Sequence, residues 1–80
     1  MNALTLRILS AEGTLLEDTA ELVSLQASDG SFGIMKGHVP AIASLQAGPV
    51  RYKKDGKEYT YEISGGIAEV RDNQVTIIAG

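Results

Sequence analysis

Several residue types that support chemistry are missing or scarce in this 80-residue chain. It has no cysteine, which excludes disulfides, thiolate metal sites and cysteine nucleophiles and fits a reducing compartment. Its single histidine, His38, cannot form a metal site alone, and no nucleophile-elbow motif accompanies it. No apolar run reaches the roughly 18 residues of a membrane-spanning helix, so we expect a soluble chain that is not secreted. These absences favour binding over catalysis.

Length and charge narrow the function further. A chain of 80 residues predicts one domain, residues 1–80, which is too small for a deep cleft between domains. The net charge of −3 and the pI near 4.9 argue against nucleic acid as a partner. One local group of basic residues is interpreted as the solvated side and tip of a hairpin, with a membrane-surface or partner contact as the alternative. It consists of Arg51, Lys53, Lys54 and Lys57.

Alternating apolar residues and regular turn signals predict a succession of strands. The predicted strands are residues 3–10, 14–17, 19–27, 41–46, 50–54, 57–64, 67–70 and 75–79. Residues 19–27 also fit helical spacing, and a one-turn helix is the alternative for 41–46. Asp55-Gly56 marks the most secure hairpin, and Gly65-Gly66 is interpreted as a bulge or a close strand crossing. We therefore predict an all-β, mostly antiparallel domain made of two packed sheets, a sandwich or flattened barrel.

Residues 29–40 are the most distinctive segment. They contain three glycines, the only phenylalanine, the only histidine and one of two prolines. Because glycine and proline both interrupt regular pairing, we predict a shaped loop that Phe32 and Ile34 anchor to the core. His38 is interpreted as a loop histidine whose ring hydrogen-bonds the local backbone, and a direct role at a partner surface is the alternative.

Two further function classes depend on single residues. Lys36 is a candidate attachment site for a biotin or lipoate group, although Gly37 follows it where biotin carriers have a methionine. A small hydrolase would have to use His38 with Ser31 or Ser44, and no acid is assigned to them by spacing. Both alternatives lack the surrounding residues that their chemistry needs.

Five motifs, taken in order, resemble the epsilon subunit family of F-type ATP synthases. They are Ser10-Ala11-Glu12-Gly13, Asp29-Gly30-Ser31-Phe32-Gly33-Ile34, Gly37-His38-Val39-Pro40, Gly65-Gly66-Ile67-Ala68-Glu69-Val70 and Asn73-Gln74-Val75-Thr76. The resemblance implies a ten-stranded β-sandwich at the foot of the rotor's central stalk, with no catalytic residue and no cofactor. It would couple proton-driven rotation of the c-ring through gamma to ATP synthesis in the alpha/beta head. The implied location is the cytoplasmic face of the bacterial inner membrane, or its organellar equivalent, peripheral to the membrane.

The resemblance also implies contact residues. The family's end that rests on the c-ring corresponds to Asp29, Gly30, Ser31, Phe32 and Gly33. The following loop, which helps to face gamma, corresponds to Ile34, Gly37, His38 and Pro40. Two departures stand out: Met35-Lys36 replaces an apolar or aromatic residue followed by proline, and the sequence stops at Gly80, before the helical hairpin that most members carry. We therefore expect only coupling and assembly functions from these residues.

Overall fold

The computed structural model describes residues 3–80, so the first two residues of the predicted domain lie outside the described part. Nine strands, joined by turns and short connections, account for most of these residues. They are β1 (Leu4–Ser10), β2 (Gly13–Ala20), β3 (Leu22–Ala27), β4 (Gly30–Met35), β5 (Ala41–Leu45), β6 (Gly48–Lys54), β7 (Lys57–Ile63), β8 (Gly66–Arg71) and β9 (Gln74–Ala79).

The all-β prediction is confirmed, and most predicted strands agree with observed ones within two residues. The helical alternatives for residues 19–27 and 41–46 are wrong, because both segments are extended. Residues 19–27 nevertheless do not form one strand. The chain bends at Glu21, whose backbone N–H donates to the carbonyl of Lys53 at 2.8 Å, so that β2 and β3 can lie in different layers.

The predicted loop over residues 29–40 is wrong for its first half. Residues 30–35 form β4, and each of them has a partner along β3. Phe32 and Ile34 alternate with exposed residues, so the segment has the period of a half-buried strand despite its glycines. Only residues 36–40 form an irregular connection, which is called the 36–40 connection below.

The strand count is nine in residues 3–80, where the resemblance implied ten. Most gaps between strands have one or two residues, and the longest is the 36–40 connection. Gly37 has a φ of +85° there and Pro40 lacks an N–H, so this segment cannot pair as a further strand.

Hydrogen bonding runs through all nine strands in one curled sheet, which folds over to give the two packed layers of the predicted sandwich or flattened barrel. The order is β2-β1-β9-β8-β5-β3-β6-β7, with β4 on the other edge of β3. The β1–β9 pair is parallel and the other pairs are antiparallel. The sheet curls where β5 meets β3 through the single pair Ala27 and Leu45. One layer thus contains β1, β2, β5, β8 and β9, and the other contains β3, β4, β6 and β7.

The inward side chains of the two layers make one apolar core. Its fully buried members come from strands of both layers, and most strands alternate between core and solvent as a half-buried sheet requires, whereas the first four residues of β7 are all exposed. They include Leu4, Leu6, Ile8, Val23, Leu25, Ile34, Val50, Val70, Val75 and Ile77. Phe32 is partly buried and packs against this core. Within residues 3–80, no helix is long and apolar enough to cross a membrane.

Candidate functional site

The five residues predicted to contact the c-ring lie at and beside the β3–β4 turn. Asp29, Gly30, Ser31 and Gly33 are exposed, and Gly30 has a φ of +134° where the turn enters β4. Phe32 differs from them because its ring is partly buried against the core. The turn therefore offers backbone and small polar groups at its tip, with Phe32 as its anchor.

Side chains and backbone from the end of β5 brace this turn. Gln46 Nε2 donates to the carbonyls of Ala27 at 3.1 Å and Ser28 at 3.2 Å. The Ser28 N–H donates to the carbonyl of Ser44 at 3.0 Å. These bonds tie the turn to the neighbouring strand, which makes the tip a stiff projection of the sheet.

The four residues predicted to face gamma divide between two environments. Ile34 is fully buried in β4, so its side chain anchors the strand. Gly37, His38 and Pro40 lie in the 36–40 connection, where Gly37 and Pro40 are exposed and His38 is half-buried. Because β4 rises about 3.3 Å per residue, the connection begins roughly 17 Å from the β3–β4 turn. The structure thus places the β3–β4 turn and the 36–40 connection at opposite ends of β4, whereas Gly33 and Ile34, which belong to different predicted groups, are neighbours within the strand.

His38 has the local role that the sequence suggested. Its Nδ1 lies 2.7 Å from the carbonyl oxygen of Val39, and because a carbonyl can only accept, Nδ1 carries the proton. Its backbone N–H donates to the carbonyl of Met35 at 3.1 Å. The prediction that this ring hydrogen-bonds the local backbone is confirmed.

Three isoleucines on β5, β8 and β9 form an exposed apolar surface that the sequence did not single out. Only Ile42 lies next to the 36–40 connection, whereas Ile67 and Ile78 lie towards Ser44, at the other end of these strands. Ile42 of β5, Ile67 of β8 and Ile78 of β9 are 75%, 52% and 57% exposed. Ile67 and Ile78 are direct partners across the β8–β9 pair, and Ile42 is diagonal to Ile67 across the β5–β8 pair. We call these three side chains the outer apolar surface.

Pro40 extends this surface at its edge, next to Ile42. Val39 is 70% exposed, and Pro40 lines a shallow groove together with Ile42 and the Glu69–Arg71 end of β8. Single exposed apolar residues are ordinary in soluble proteins, whereas adjacent ones on one sheet face mark contact sites. This side of the molecule is therefore its best candidate for a protein interface.

On the opposite flank, a polar clamp joins β2 to β6. Lys54 Nζ lies 2.7 Å from Asp18 Oδ1, and the Tyr52 hydroxyl donates to Asp18 Oδ2 at 3.1 Å. The hydrogen bond from Lys54 is the main cause that lowers the pKa of Asp18, and further bonds from Thr19 N–H and Tyr52 act in the same direction. Burial, followed by the Asp18 hydrogen bond, raises the pKa of Tyr52, which stacks on Tyr59. The clamp ties the two layers together where the curled sheet would otherwise be open.

The described residues offer no grouping of reactive side chains beside these surfaces. Within residues 3–80, no three His, Asp or Glu side chains are placed to hold a metal ion. Lys36 is exposed in the 36–40 connection. Ser44 is one of the two serines of the hydrolase alternative, and its backbone carbonyl accepts hydrogen bonds from the N–H and the hydroxyl of Ser28. The geometry is that of a stiff body with two surfaces.

Comparison with known proteins identifies the family. Residues 3–80 match the family model described as ATP synthase, Delta/Epsilon chain, beta-sandwich domain. The chain belongs to this family. Among curated proteins, the ATP synthase epsilon chain of Desulfitobacterium hafniense is 45% identical over 75 residues, which cover 94% of this chain and 57% of that protein. The epsilon chain of Bacillus subtilis is 40% identical over 79 residues, which cover 99% of this chain and 60% of that protein.

Solved structures share the fold of this Delta/Epsilon-type domain. A chain in the Euglena gracilis mitochondrial ATP synthase superposes with a TM-score of 0.89 at 24% identity, covering 99% of this chain and 51% of that one. A chain in the central stalk and c-ring structure from Tetrahymena thermophila gives 0.76 at 14% identity, covering 95% and 62%. This chain therefore spans roughly half to two thirds of the length of the relatives that it matches.

Two residues to which the sequence interpretation gave no such role hold the predicted contact segments of this Delta/Epsilon-type domain. Gln46 braces the β3–β4 turn, and Asn73 accepts a hydrogen bond from the Gly37 N–H at 2.8 Å. Both are polar residues next to turn signals, which is a common pattern for side chains that bond loop backbone. Without the pairing of strands, nothing in the sequence says which loop each of them reaches.

Proposed function

We propose that this chain is the β-sandwich part of a non-catalytic epsilon subunit in the central rotor stalk of an F-type ATP synthase. It would couple proton-driven rotation of the c-ring through gamma to ATP synthesis in the alpha/beta head. The family match and the curated epsilon chains support this over the carrier alternative at Lys36. In this role the domain is attached to the membrane only through the complex, at the cytoplasmic face of the bacterial inner membrane or the organellar equivalent.

The observation that carries the proposal is the outer apolar surface, which the 36–40 connection meets at Ile42. A rotor part has to transmit force without bending, and the close packing of the apolar core resists deformation of the sheet that carries this contact. Three isoleucines from adjacent strands supply the apolar centre of such a contact, and burial of each side chain contributes about 1 to 2 kcal/mol given its present exposure. Gly37, His38 and Pro40 would contact gamma at the edge of this surface.

The β3–β4 turn is the proposed contact with the c-ring. Asp29, Gly30 and Ser31 are exposed at the end of β4 away from the 36–40 connection, Gly33 is exposed within β4, and Phe32 holds the turn to the core. A body that touches two partners in a rotor needs its two contacts well separated, as these are along β4. The β3–β4 turn and the 36–40 connection, which lie at opposite ends of β4, meet that requirement.

The test of the gamma contact is a titration of purified gamma with three versions of the chain. Ile42→Asp places a charge at the most exposed isoleucine without altering the core, and Thr60→Asp is the matched control on an exposed position of β7. We expect Ile42→Asp to weaken binding by about 2 kcal/mol or more, about 30-fold in Kd. Thr60→Asp should bind as the wild type does.

Two results would contradict the proposal. A wild-type chain that fails to bind gamma would remove the rotor assignment. Equal Kd values for the wild type and Ile42→Asp would show that gamma binds another surface. Thermal unfolding of both variants, expected within about 3 °C of the wild type, checks that the comparison concerns binding and not folding.

A further inference from the structure

The 36–40 connection depends on bonds from outside itself for its shape. Gly37 has a φ of +85°, and the chain reverses direction between β4 and β5 within five residues. The His38 N–H reaches back to the carbonyl of Met35, the last residue of β4. From outside the connection, the Asn73 side chain accepts from the Gly37 N–H at 2.8 Å across 36 residues of sequence.

Asn73 is placed to link three segments at this end of the molecule. It sits in the β8–β9 turn with a φ of +61°, next to Asp72 at +49°. Its carbonyl accepts from the Thr5 N–H at 2.9 Å, at the start of β1, while its side chain reaches Gly37. One residue thus fixes the 36–40 connection relative to β8 and β9, the strands that carry Ile67 and Ile78.

We propose that Asn73 is a positioning residue for gamma binding: its side-chain oxygen holds the 36–40 connection so that Pro40 extends the outer apolar surface next to Ile42. This inference rests on the proposed function. Asparagine is also a favoured residue for a turn with positive φ, so its presence in the turn alone does not establish the role. The hydrogen bond to Gly37 is the observation that supports a positioning role beyond this turn preference.

The expected change in Kd depends on the fraction of molecules in which the 36–40 connection has the conformation that binds gamma. If the connection loses its link to the sheet, only a fraction of molecules present Pro40 correctly, and the apparent Kd rises by the inverse of that fraction. The net contribution of one neutral hydrogen bond corresponds to about two- to tenfold in an equilibrium constant. The Kd for gamma should therefore rise by about this factor when the bond is removed.

The experiment compares the wild type with three variants of the same turn. Asn73→Gly removes the side-chain oxygen but tolerates a φ of +61° without strain. Asn73→Asp keeps an acceptor at the same position and is the conservative rescue. Asp72→Gly is the matched control, because it changes the neighbouring residue of the same turn, whose carboxylate lies near Arg71. For each chain, amide hydrogen exchange at Gly37 is measured by NMR, and the Kd for gamma by calorimetry.

In the supporting result, Asn73→Gly alone speeds exchange at Gly37 and raises the Kd by about two- to tenfold. Unchanged exchange and unchanged affinity in Asn73→Gly, with a wild type that binds, would overturn the inference and leave the proposed function standing. Equal losses in Asp72→Gly or Asn73→Asp would also overturn it, because the effect would then belong to the turn. If the wild type does not bind gamma, the proposed function and the binding role of Asn73 fail together, and unchanged exchange would further remove the link to Gly37.

Discussion

Gly66 at the start of β8 is the position where the fold is least tolerant of an added atom. Its backbone passes directly against β9, and its φ is +144°. A Cβ built there would overlap the carbonyl oxygen of Ile78 and lie 3.0 Å from the Cα of Ala79. Gly66→Ala therefore forces β9 away from β8 at the pair that Gly66 makes with Ala79.

The size of the loss can be worked from these contacts. A non-glycine residue in this backbone region costs about 1 to 3 kcal/mol. Overlap with a neighbouring backbone costs about 1 to 3 kcal/mol more, because a strand is less able to yield than a side chain. We expect Gly66→Ala to lower the free energy of unfolding by at least 3 kcal/mol, out of about 4 to 12 kcal/mol for a domain of this size.

Urea unfolding followed by circular dichroism measures the loss, and Gly56→Ala is the matched control. Gly56 also has a positive φ, +76°, but a Cβ there would meet nothing within 4 Å. Gly56→Ala should therefore lower the free energy of unfolding by about 1 to 2 kcal/mol, which is the cost of a positive φ without steric overlap. If Gly66→Ala and Gly56→Ala differ by less than about 1 kcal/mol, the close approach of β8 and β9 does not limit stability as argued.

Three further predictions concern the clamp and the β3–β4 turn. Because Lys54 lowers the pKa of Asp18, the clamp contributes stability above the unfolded pKa near 3.9 and loses it as pH falls through the lower folded value. Asp18→Asn should cost about 1 kcal/mol in urea at pH 7, and the difference from wild type should shrink as pH falls below the unfolded pKa and through the lower folded one; a constant difference would contradict this. Phe32→Ala should cost about 2 kcal/mol, less than for a fully buried ring, and a loss under about 0.5 kcal/mol would mean that the ring does not anchor β4. Ser31→Trp should unfold like the wild type but impair proton-driven ATP synthesis in reconstituted complexes, and normal synthesis would contradict the c-ring contact.

The strands could be predicted because their signals are local. The Asp55-Gly56 turn and the alternating residues around it specify β6 and β7 almost to the residue. The error at residues 29–40 has an equally local cause. Counting three glycines and a proline favoured a loop, whereas the alternation of Phe32 and Ile34 already carried the strand period.

Pairing could not be predicted from periodicity. The parallel β1–β9 pair joins the two ends of the chain, and no turn signal connects strands that are so distant in sequence. The bend at Glu21 that divides residues 19–27 also depends on Lys53, a residue from another strand. Where a strand sits in the sheet is set by the packing of the whole core, so the local pattern leaves it open.

The same limit explains what was missed in the candidate site. Ile42, Ile67 and Ile78 look like ordinary strand residues, because alternation gives two faces without saying which face is buried. Only pairing puts the three side chains on one exposed face. Asn73 likewise looks like a turn residue, and its bond to Gly37 appears only when the β8–β9 turn lies beside the 36–40 connection.

Affinity capture tests the central claim most directly. The tagged wild-type chain is captured from detergent-solubilised source membranes, with the Ile42→Asp variant captured in parallel, and co-purifying proteins are identified by mass spectrometry. The rotor assignment predicts gamma, alpha, beta and c subunits with the wild type and a marked loss of all four with Ile42→Asp. Recovery of a carboxylase or dehydrogenase in their place, or of no ATP synthase subunit, would contradict it.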